Sequence, residues 1–179
     1  MNFETIEYLK DGMSRQREAY NVLTRHEVMT KLQPFTPILV GTIPINIDIE
    51  TSDLDIICYW TDRLAFYTAV VDYFGSENAF SIRESSRPGQ EVVVANFSLN
   101  NVAIEIFGQN IPTRQQMGYR HMLIEHKLLT ERGESFRQAI IDLKEQGYKT
   151  EPAFGQLLGL GADPYIELLA YESAEEQRI

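Results

Sequence analysis

Two aspartates one residue apart, Asp53 and Asp55, stand among aliphatic residues in the segment SDLDIICYW. In a strand, side chains at i and i+2 point to the same face, so both carboxylates project together while Leu54 and Ile56 point to the opposite, core-facing side. Two like charges at this distance raise the pKa of one carboxyl unless a cation or hydrogen-bond donors lie between them. Mg²⁺ suits such a pair, because it binds one or two carboxylates and completes its shell with water and substrate phosphates.

An isolated pair of this kind also fits a solvent-facing strand edge whose acidic residues keep it soluble. A later strand-like run, VAIEIFG, repeats the arrangement with Glu105 between Ile104 and Ile106. If the two strands lie side by side, three carboxylates can hold two metal ions about 4 Å apart, which activates an attacking oxygen and stabilises a leaving phosphate. The prediction therefore depends on the pairing of these strands.

A Gly-Thr pair, Gly41 and Thr42, begins twelve residues before Asp53 at the end of the apolar run TPILV. Glycine lets the backbone approach a ligand closely, and the neighbouring N–H groups with the threonine hydroxyl can hold a phosphate where a strand ends. Ser52, directly before the acidic pair, is predicted as a further nucleotide contact. These residues supply the phosphate-binding part of the same site.

A strand ending in hydrophobic-Gly-Thr, a twelve-residue offset to SDLD and a later hydrophobic-Glu-hydrophobic strand together resemble the nucleotidyltransferase superfamily of polymerase beta type. The segments VGTIPINIDIETSDLDIICY, IEIFGQ and YRHMLIEHKLL further resemble, over most of the chain, a bacterial family of unknown function in that superfamily. The resemblance implies that Asp53 and Asp55 bind the metal and that Glu105 is the third ligand or general base. It also implies that Gly41 and Thr42 contact the phosphates. The sequence departs from the usual pattern in having Thr42 for serine and Glu105 for aspartate.

Arg120 is predicted to bind the triphosphate, because the resemblance puts the helix after the third acidic strand at the border of the nucleotide cleft. Lys127, Arg83 and Arg87 are further candidates. A solvated surface charge explains each of these cations as well.

The hydrophobic periodicity predicts strands in the middle of the chain and helices at both ends. These elements must position the residues named above. We expect two helices within 4–32, broken near Gly12, and strands at 36–42 and 52–60, a helix at 62–75 and strands at 79–86, 91–99 and 102–108. Further helices are expected at 112–133, 134–147, 151–160 and 163–177. Asn100 and Asn101 form a turn between the last two strands. His121 and Glu125 share one face of their helix, and a surface hydrogen bond between them is favoured over a metal site.

This order predicts the α+β class, with a nucleotidyltransferase fold: a mixed β-sheet core flanked by helices and a helical C-terminal third. Residues 1–110 would form the nucleotidyltransferase-like core with its N-terminal helices. Residues 111–179 would form a helical region that packs on the core as part of one structural unit.

The formal net charge of −10, from 26 acidic and 16 basic residues, disfavours nucleic acid as a partner. A small anionic ligand remains compatible, because a bound divalent cation reverses the local field. The sequence has no apolar run of membrane-spanning length, and its start, MNFETIEYLKDG, lacks the features of a secretory signal. We therefore expect a cytoplasmic protein of undetermined oligomeric state without a membrane partner.

The expected function is a metal-dependent nucleotidyl transfer from an NTP to an unknown small-molecule or protein acceptor, with Mg²⁺ or Mn²⁺. Two alternatives stay open. The first is a non-catalytic nucleotide-binding or regulatory module with the same fold, which the Glu105 departure favours. The second is a metal-dependent phosphoesterase that uses water at the same carboxylates.

Overall fold

A five-stranded mixed sheet forms the centre of the chain in the computed structural model, which describes residues 1–87 and 90–172, with the backbone alone at 86, 87 and 90. The strands are β1 (Ile38–Val40), β2 (Leu54–Tyr59), β3 (Asn78–Arg87), β4 (Gln90–Leu99) and β5 (Val102–Gln109). The helices are α1 (Ser14–Arg25), α2 (Val28–Lys31), α3 (Arg63–Phe74), α4 (Met117–Arg132), α5 (Glu134–Glu145), α6 (Thr150–Leu158) and α7 (Pro164–Glu167). The predicted α+β class is confirmed. Within the described ranges, no helix is long and apolar enough to cross a membrane.

The strand order in the sheet is β1-β2-β5-β4-β3. Only the central pair, β2 and β5, is parallel, and the other three pairs are antiparallel. Parallel neighbours need a crossover connection, which here consists of α3 and the β3–β4 hairpin. The two strands that carry the predicted acidic residues therefore lie side by side in the middle of the sheet.

Each face of the sheet is covered by a different set of helices. One face packs against α1 and α3 and buries Leu54 and Ile56 of β2 with Ile104 and Ile106 of β5. The other face packs against α4, α5 and α6 and buries Ile57 of β2. Because side chains alternate along a strand, the odd-numbered positions of β2 face these C-terminal helices.

Local sequence signals mark the start of α3 and the turn between β4 and β5. The Asp62 side chain accepts a hydrogen bond from the Ala65 N–H at 3.1 Å and caps the N-terminus of α3. Asn100 and Asn101 both have positive φ, at 51° and 64°, and form the predicted tight turn between β4 and β5. This turn sets the register of the β4–β5 hairpin, which carries Glu105.

Two predicted helices are shorter than expected. The segment before Gly12 forms only a 3₁₀ turn at Glu7–Leu9, because so few residues do not compensate for helix nucleation. In the C-terminal segment, α7 covers four residues and a 3₁₀ turn at Leu168–Tyr171 follows it. The rest of that predicted helix, residues 173–179, lies outside the described residues. So do Pro88 and Gly89 of the turn RPGQ and the side chain of Arg87.

The long connection between β1 and β2, residues 41–53, is held from two sides. Gln16 of α1 donates to two of its carbonyls at 3.0 Å. From α5, Arg137 donates to the Asn46 carbonyl at 3.0 Å and Lys144 to the Ile47 carbonyl at 2.6 Å. These bonds fix the loop that carries the Gly-Thr pair at one end and the acidic pair at the other.

Candidate active site

Asp55 of β2 and Glu105 of β5 are direct partners in the register of the two parallel strands. The prediction that these strands lie beside each other is confirmed. Partners in register project to the same face of a sheet, so the two carboxylates are neighbours on the side that α4 covers. Asp53 lies two residues before Asp55, immediately ahead of the first residue of β2. The fold therefore brings the three predicted acids to one region of one sheet face.

Gly41 follows the last residue of β1 with φ +84°, a conformation that favours glycine. A side chain at this position would collide with Oδ2 of Asp55. The sequence argument assigned the close approach at Gly41 to a phosphate, whereas in the protein alone the group that approaches is the Asp55 carboxylate. Gly41 thus allows this carboxylate to lie against the loop backbone.

Thr42 and Ser52 close the two ends of the 41–53 loop. Thr42 Oγ1 donates to Ser52 Oγ at 3.2 Å, and Ser52 Oγ also accepts a hydrogen bond from the Ile49 N–H at 3.0 Å. Arg15 of α1 donates to the Ser52 carbonyl at 3.0 Å. Both hydroxyls line a cavity with Asp53, as expected of residues that contact a shared ligand.

The carboxylates perturb one another. Burial, together with the charges of Asp53 and Glu105, raises the pKa of Asp55 to about 7. Burial and the charge of Asp53 also raise the pKa of Glu105, although Arg83, 3.9 Å away, and a hydrogen bond with Asn96 act in the opposite direction. The pKa of Asp55 is therefore raised in the predicted direction, but burial is the largest cause and the neighbouring carboxylates add to it.

The three acids are adjacent but not gathered around one point. Among the described residues, no group of three or more His, Cys, Asp or Glu side chains is close enough to hold a metal ion. Three carboxylates beside two hydroxyls nevertheless form the oxygen-donor set that Mg²⁺ and Mn²⁺ prefer. Burial first, and neighbouring negative charge second, raise the pKa values of Asp55 and Glu105. These side chains are therefore of the type that binds a divalent cation, although their spacing among the described residues does not form a metal site.

Two cavities flank these carboxylates and share a wall. We call the first the lysine cavity: it has a volume of about 380 Å³ and is lined by Lys144, Lys149, Tyr148, Ser52 and Asp53, among others. The second, the acidic cavity, has a volume of about 440 Å³ and is lined by Glu125, Glu151, His121, Gln116 and Phe107, among others. Their common wall consists of Thr42, Asp55, Glu105 and Thr150. Asp55 and Glu105 therefore lie between one cavity lined by lysine side chains and another lined by acidic side chains.

The lysine cavity owes its cations to the end of α5 and the connection to α6. The Lys144 side chain is buried, and this burial lowers its pKa to about 8 despite nearby acids, among them Glu125 and Asp55. Lys149 and Tyr148 are exposed at the rim. Sequence reasoning missed all three, although Lys144 lies four residues after the buried Ile140 on the apolar face of α5, which is an unusual place for a lysine.

The acidic cavity is bounded by α4 and α6. His121 and Glu125 are 4% and 3% exposed, so the predicted hydrogen bond between them on a helix surface is wrong: both are buried. Packing of α6 and α7 on α4 covers this face. His121 Nδ1 lies 3.3 Å from Glu151 Oε1, and its Nε2 is 2.8 Å from the Tyr165 carbonyl oxygen. The chain therefore places these side chains inside the protein beside the carboxylates.

The predicted triphosphate cations occupy different positions. The Arg120 guanidinium forms a bidentate pair with Glu172 at 2.8 and 2.7 Å, and Arg120 does not line either cavity. Lys127 donates to a carbonyl of the same C-terminal turn at 3.2 Å. Arg83 is the one of these three that reaches the carboxylates, through Glu105. The prediction that Arg120 binds phosphate thus requires it to leave Glu172.

The sequence matches the model of a family described as a domain of unknown function, DUF4269, over residues 21–171. A search of curated proteins found no significant match. The structural comparisons are more informative about the fold.

Solved nucleotidyltransferases share this fold. Cid1 poly(U) polymerase in complex with the UTP analogue UMPNPP has a TM-score of 0.53 and 13% identity, over 80% of this chain and 46% of that chain. Cid1 with bound MgGTP has a TM-score of 0.52 and 10% identity, over 78% of this chain and 46% of that chain. A chain of the GLD-2/RNP-8 complex has a TM-score of 0.53 and 11% identity, over 86% of this chain and 63% of that chain. This chain spans about half the length of the Cid1 chains. At such identities the likeness concerns the fold alone.

Proposed function

The chain belongs to the DUF4269 family, and from that premise and its nucleotidyltransferase fold we propose that it transfers a nucleoside monophosphate from an NTP to a small-molecule or protein acceptor. The observation that supports this most strongly is the pairing of Asp55 with Glu105 across two parallel strands, beside Asp53 and the Gly41 turn. A solvent-facing edge strand would not need this arrangement. The strands are central and the carboxylates are partly buried.

Asp53, Asp55 and Glu105 are the residues that would hold Mg²⁺ or Mn²⁺, which when bound neutralises phosphate charge and polarises the phosphoryl oxygens. The oxygen of the acceptor hydroxyl bonds to the α-phosphorus of the NTP, and Glu105 accepts the proton that this hydroxyl loses. The bond from that phosphorus to the bridging oxygen of pyrophosphate breaks. The products are a phosphodiester between acceptor and nucleoside, and pyrophosphate.

The two cavities suggest how the substrates are arranged. In an in-line displacement, the attacking and leaving oxygens lie on opposite sides of the phosphorus. The lysine cavity suits the pyrophosphate portion, since Lys144 and Lys149 supply positive charge and Thr42 and Ser52 supply hydroxyl donors. The acidic cavity, beyond the shared wall, then faces the acceptor.

The test is a measurement of nucleotide binding and turnover on the purified protein. We expect calorimetry to detect binding of a non-hydrolysable NTP only when Mg²⁺ or Mn²⁺ is present. Pyrophosphate release from each NTP would then be followed with a panel of acceptors. Metal-dependent binding without release under any condition would favour the non-catalytic module, and hydrolysis of phosphoesters without NTP would favour the phosphoesterase. Absence of metal-dependent NTP binding would contradict the proposal.

Gly41→Ala is expected to weaken metal-dependent NTP binding by at least about tenfold, because the new methyl group displaces the Asp55 carboxylate. Gly133→Ala is the matched control. Gly133 has a similar φ of +79°, so alanine is also strained there, but a methyl group at this position meets nothing within 4 Å. Calorimetry on both variants separates the two effects. Equal NTP affinity in the two variants would show that the collision with Asp55 has no role in binding.

Mn²⁺ binding is expected to strengthen as pH rises from about 6 to about 8. The pKa of Asp55 is raised to about 7, so below that pH a proton must leave before the carboxylate can bind a cation. One displaced proton predicts an affinity that falls about tenfold per pH unit below this pKa and levels off above it. Titration of Mn²⁺ without nucleotide, followed by electron paramagnetic resonance, avoids the titration of the phosphates. An affinity independent of pH would contradict the combination of a raised pKa and metal binding at Asp55.

A further inference from the structure

The acidic cavity is a concave space of about 440 Å³, which lies within the roughly 300–1,000 Å³ typical of small-molecule sites. Four of the side chains that line it are carboxylic acids: Asp55, Glu105, Glu125 and Glu151. His121 is the only basic side chain in its lining, and it is already paired with Glu151. Asp55 and Glu105 belong to the proposed metal site and Glu151 is paired with His121, so Glu125 needs a separate explanation.

Glu125 is 3% exposed, and no hydrogen bond or ion pair from another described residue reaches its carboxyl. A buried carboxyl without a partner is unfavourable by about the desolvation cost of the group, so its retention at this position calls for a ligand or another function. Burial and the charge of Glu151 raise the pKa of Glu125 to about 8, while His121 and Lys144 act in the opposite direction.

Gln116 provides a second, independent sign. Its side chain is 2% exposed, and its Nε2 donates to the Cys58 carbonyl at 2.9 Å and to the Ile111 carbonyl at 2.8 Å. With the amide group held in this way, Oε1 is a buried acceptor without a partner among the described residues. Gln116 and Glu125 both line the acidic cavity, and Oε1 of Gln116 has no partner among the described residues. The cavity therefore holds a buried acceptor without a donor, beside an acidic side chain.

Charge narrows the choice of ligand further. A phosphate or carboxylate in this cavity would meet several carboxyl groups, in a chain whose net charge is −10, whereas an ammonium group would be attracted. Phe107, Met122 and Val40 supply an apolar part of the wall, which suits the face of a sugar ring or an aliphatic chain. The cavity thus combines apolar walls with acceptors that need a positively charged donor.

We propose that the acidic cavity binds an acceptor that carries an ammonium group beside its nucleophilic hydroxyl, with Glu125 and Glu151 as the ammonium contacts. This inference rests on the proposed function, because it assigns the acceptor of that reaction to the class of amino sugars and amino alcohols. The ammonium group stays protonated and is therefore not a nucleophile. The hydroxyl oxygen attacks the α-phosphorus, its proton passes to Glu105, and pyrophosphate leaves on the opposite side.

The experiment uses a pair of probes, the disaccharide of two linked glucosamines and its N-acetylated form, which lacks the positive charges and carries an acetyl group on each nitrogen. Each is titrated by calorimetry into wild-type protein with Mg²⁺ and a non-hydrolysable NTP. We expect the amine form to bind at least about tenfold more tightly than the acetylated form, as a charge-assisted hydrogen bond requires. Added salt should reduce but not remove this preference, because the contacts are buried.

Variants locate the site. Glu125→Gln and Glu151→Gln should each weaken binding of the amine form by about tenfold and leave binding of the acetylated form and of metal-NTP unchanged. Glu131→Gln, an exposed position on the same helix, is the control for general loss of negative charge. Glutamine preserves the shape of the buried side chain, and melting curves verify that each variant folds.

The outcomes separate this inference from the proposed function. If the wild type binds metal-NTP but binds both probes equally or neither, the amine inference is wrong and the nucleotidyl transfer proposal stands. If the amine form binds equally well to both glutamine variants, the assignment to Glu125 and Glu151 is wrong. If metal-NTP does not bind at all, the proposed function is wrong and the cavity has no acceptor to receive.

Discussion

The double variant Asp53→Asn, Asp55→Asn is expected to lose metal-dependent NTP binding while remaining folded. Asparagine keeps the size of each side chain but removes the two charges that a divalent cation needs. Without the cation, the phosphates would face Glu105 and the acidic cavity unshielded. We expect the calorimetric affinity for metal-NTP to fall by at least about a hundredfold.

The same variant is expected to be as stable as the wild type or more stable near pH 8. The folded-state pKa of Asp55, about 7, is above its ordinary value, so the folded protein holds this proton more tightly than the unfolded chain does. The resulting stabilisation is fully present below the unfolded pKa and is lost as pH rises through about 7. Asparagine cannot ionise, and the variant should therefore gain on the order of 2 kcal/mol over the wild type at pH 8, but little at pH 4.

Chemical denaturation at both pH values measures this difference, and calorimetry measures binding. Asp62→Asn serves as a control for folding, because Asp62 is an exposed helix cap that lines neither cavity. An unchanged NTP affinity in the double variant would count against the site. A clear loss of stability near pH 8 would instead indicate that the two aspartates are structural.

The sheet and its acidic strands could be predicted because their patterns are local. The alternation of apolar and polar residues in IEIF places Glu105 on the sheet face opposite to Ile104 and Ile106. The Asn-Asn turn sets the register of the β4–β5 hairpin. The pairing of β2 with β5 follows from the requirement that the three carboxylates meet, since no local pattern specifies it. The direct register of Asp55 with Glu105 follows from the way the two strands pack.

The two cavities could not be predicted in the same way. Glu125 follows Met122 by three residues and precedes Leu128 by three, so helical spacing already puts it on the buried face of α4. A glutamate there is a signal, but what it faces depends on how α4 and α6 pack against the sheet. Lys149 and Tyr148 lie in a connection with no periodicity at all. Their place beside Asp53 is a consequence of long-range packing.

Glu105 is the residue at which an active enzyme and a binding module differ. It replaces the aspartate usual in the pattern, and its longer side chain lies 3.9 Å from Arg83 of β3. That contact is exposed, since the Arg83 side chain is 67% accessible, so it holds Glu105 only weakly. Glu105 can therefore turn towards a cation or an acceptor hydroxyl without a large loss of stabilisation.

If Glu105 is the general base, Glu105→Gln should lower the rate of pyrophosphate release by a factor on the order of 10² to 10⁴. Glutamine keeps the shape of the side chain but can neither accept the hydroxyl proton nor contribute negative charge to a second cation. Binding of metal-NTP should survive, because Asp53 and Asp55 remain. The rate should also lose the part of its pH dependence that comes from the raised pKa of Glu105.

The matched control is Glu84→Gln, which removes a carboxylate from β3 that pairs with Arg63 at 3.3 Å and lines neither cavity. Its rate should equal that of the wild type. Release would be measured with each NTP and with Mg²⁺ or Mn²⁺, across a panel of amino sugars, aminoglycosides, nucleotides and co-purifying proteins. A Glu105→Gln variant as active as the wild type would exclude Glu105 as the base. A wild type that binds metal-NTP but releases no pyrophosphate with any acceptor would indicate a module that kept the nucleotide site and lost the chemistry.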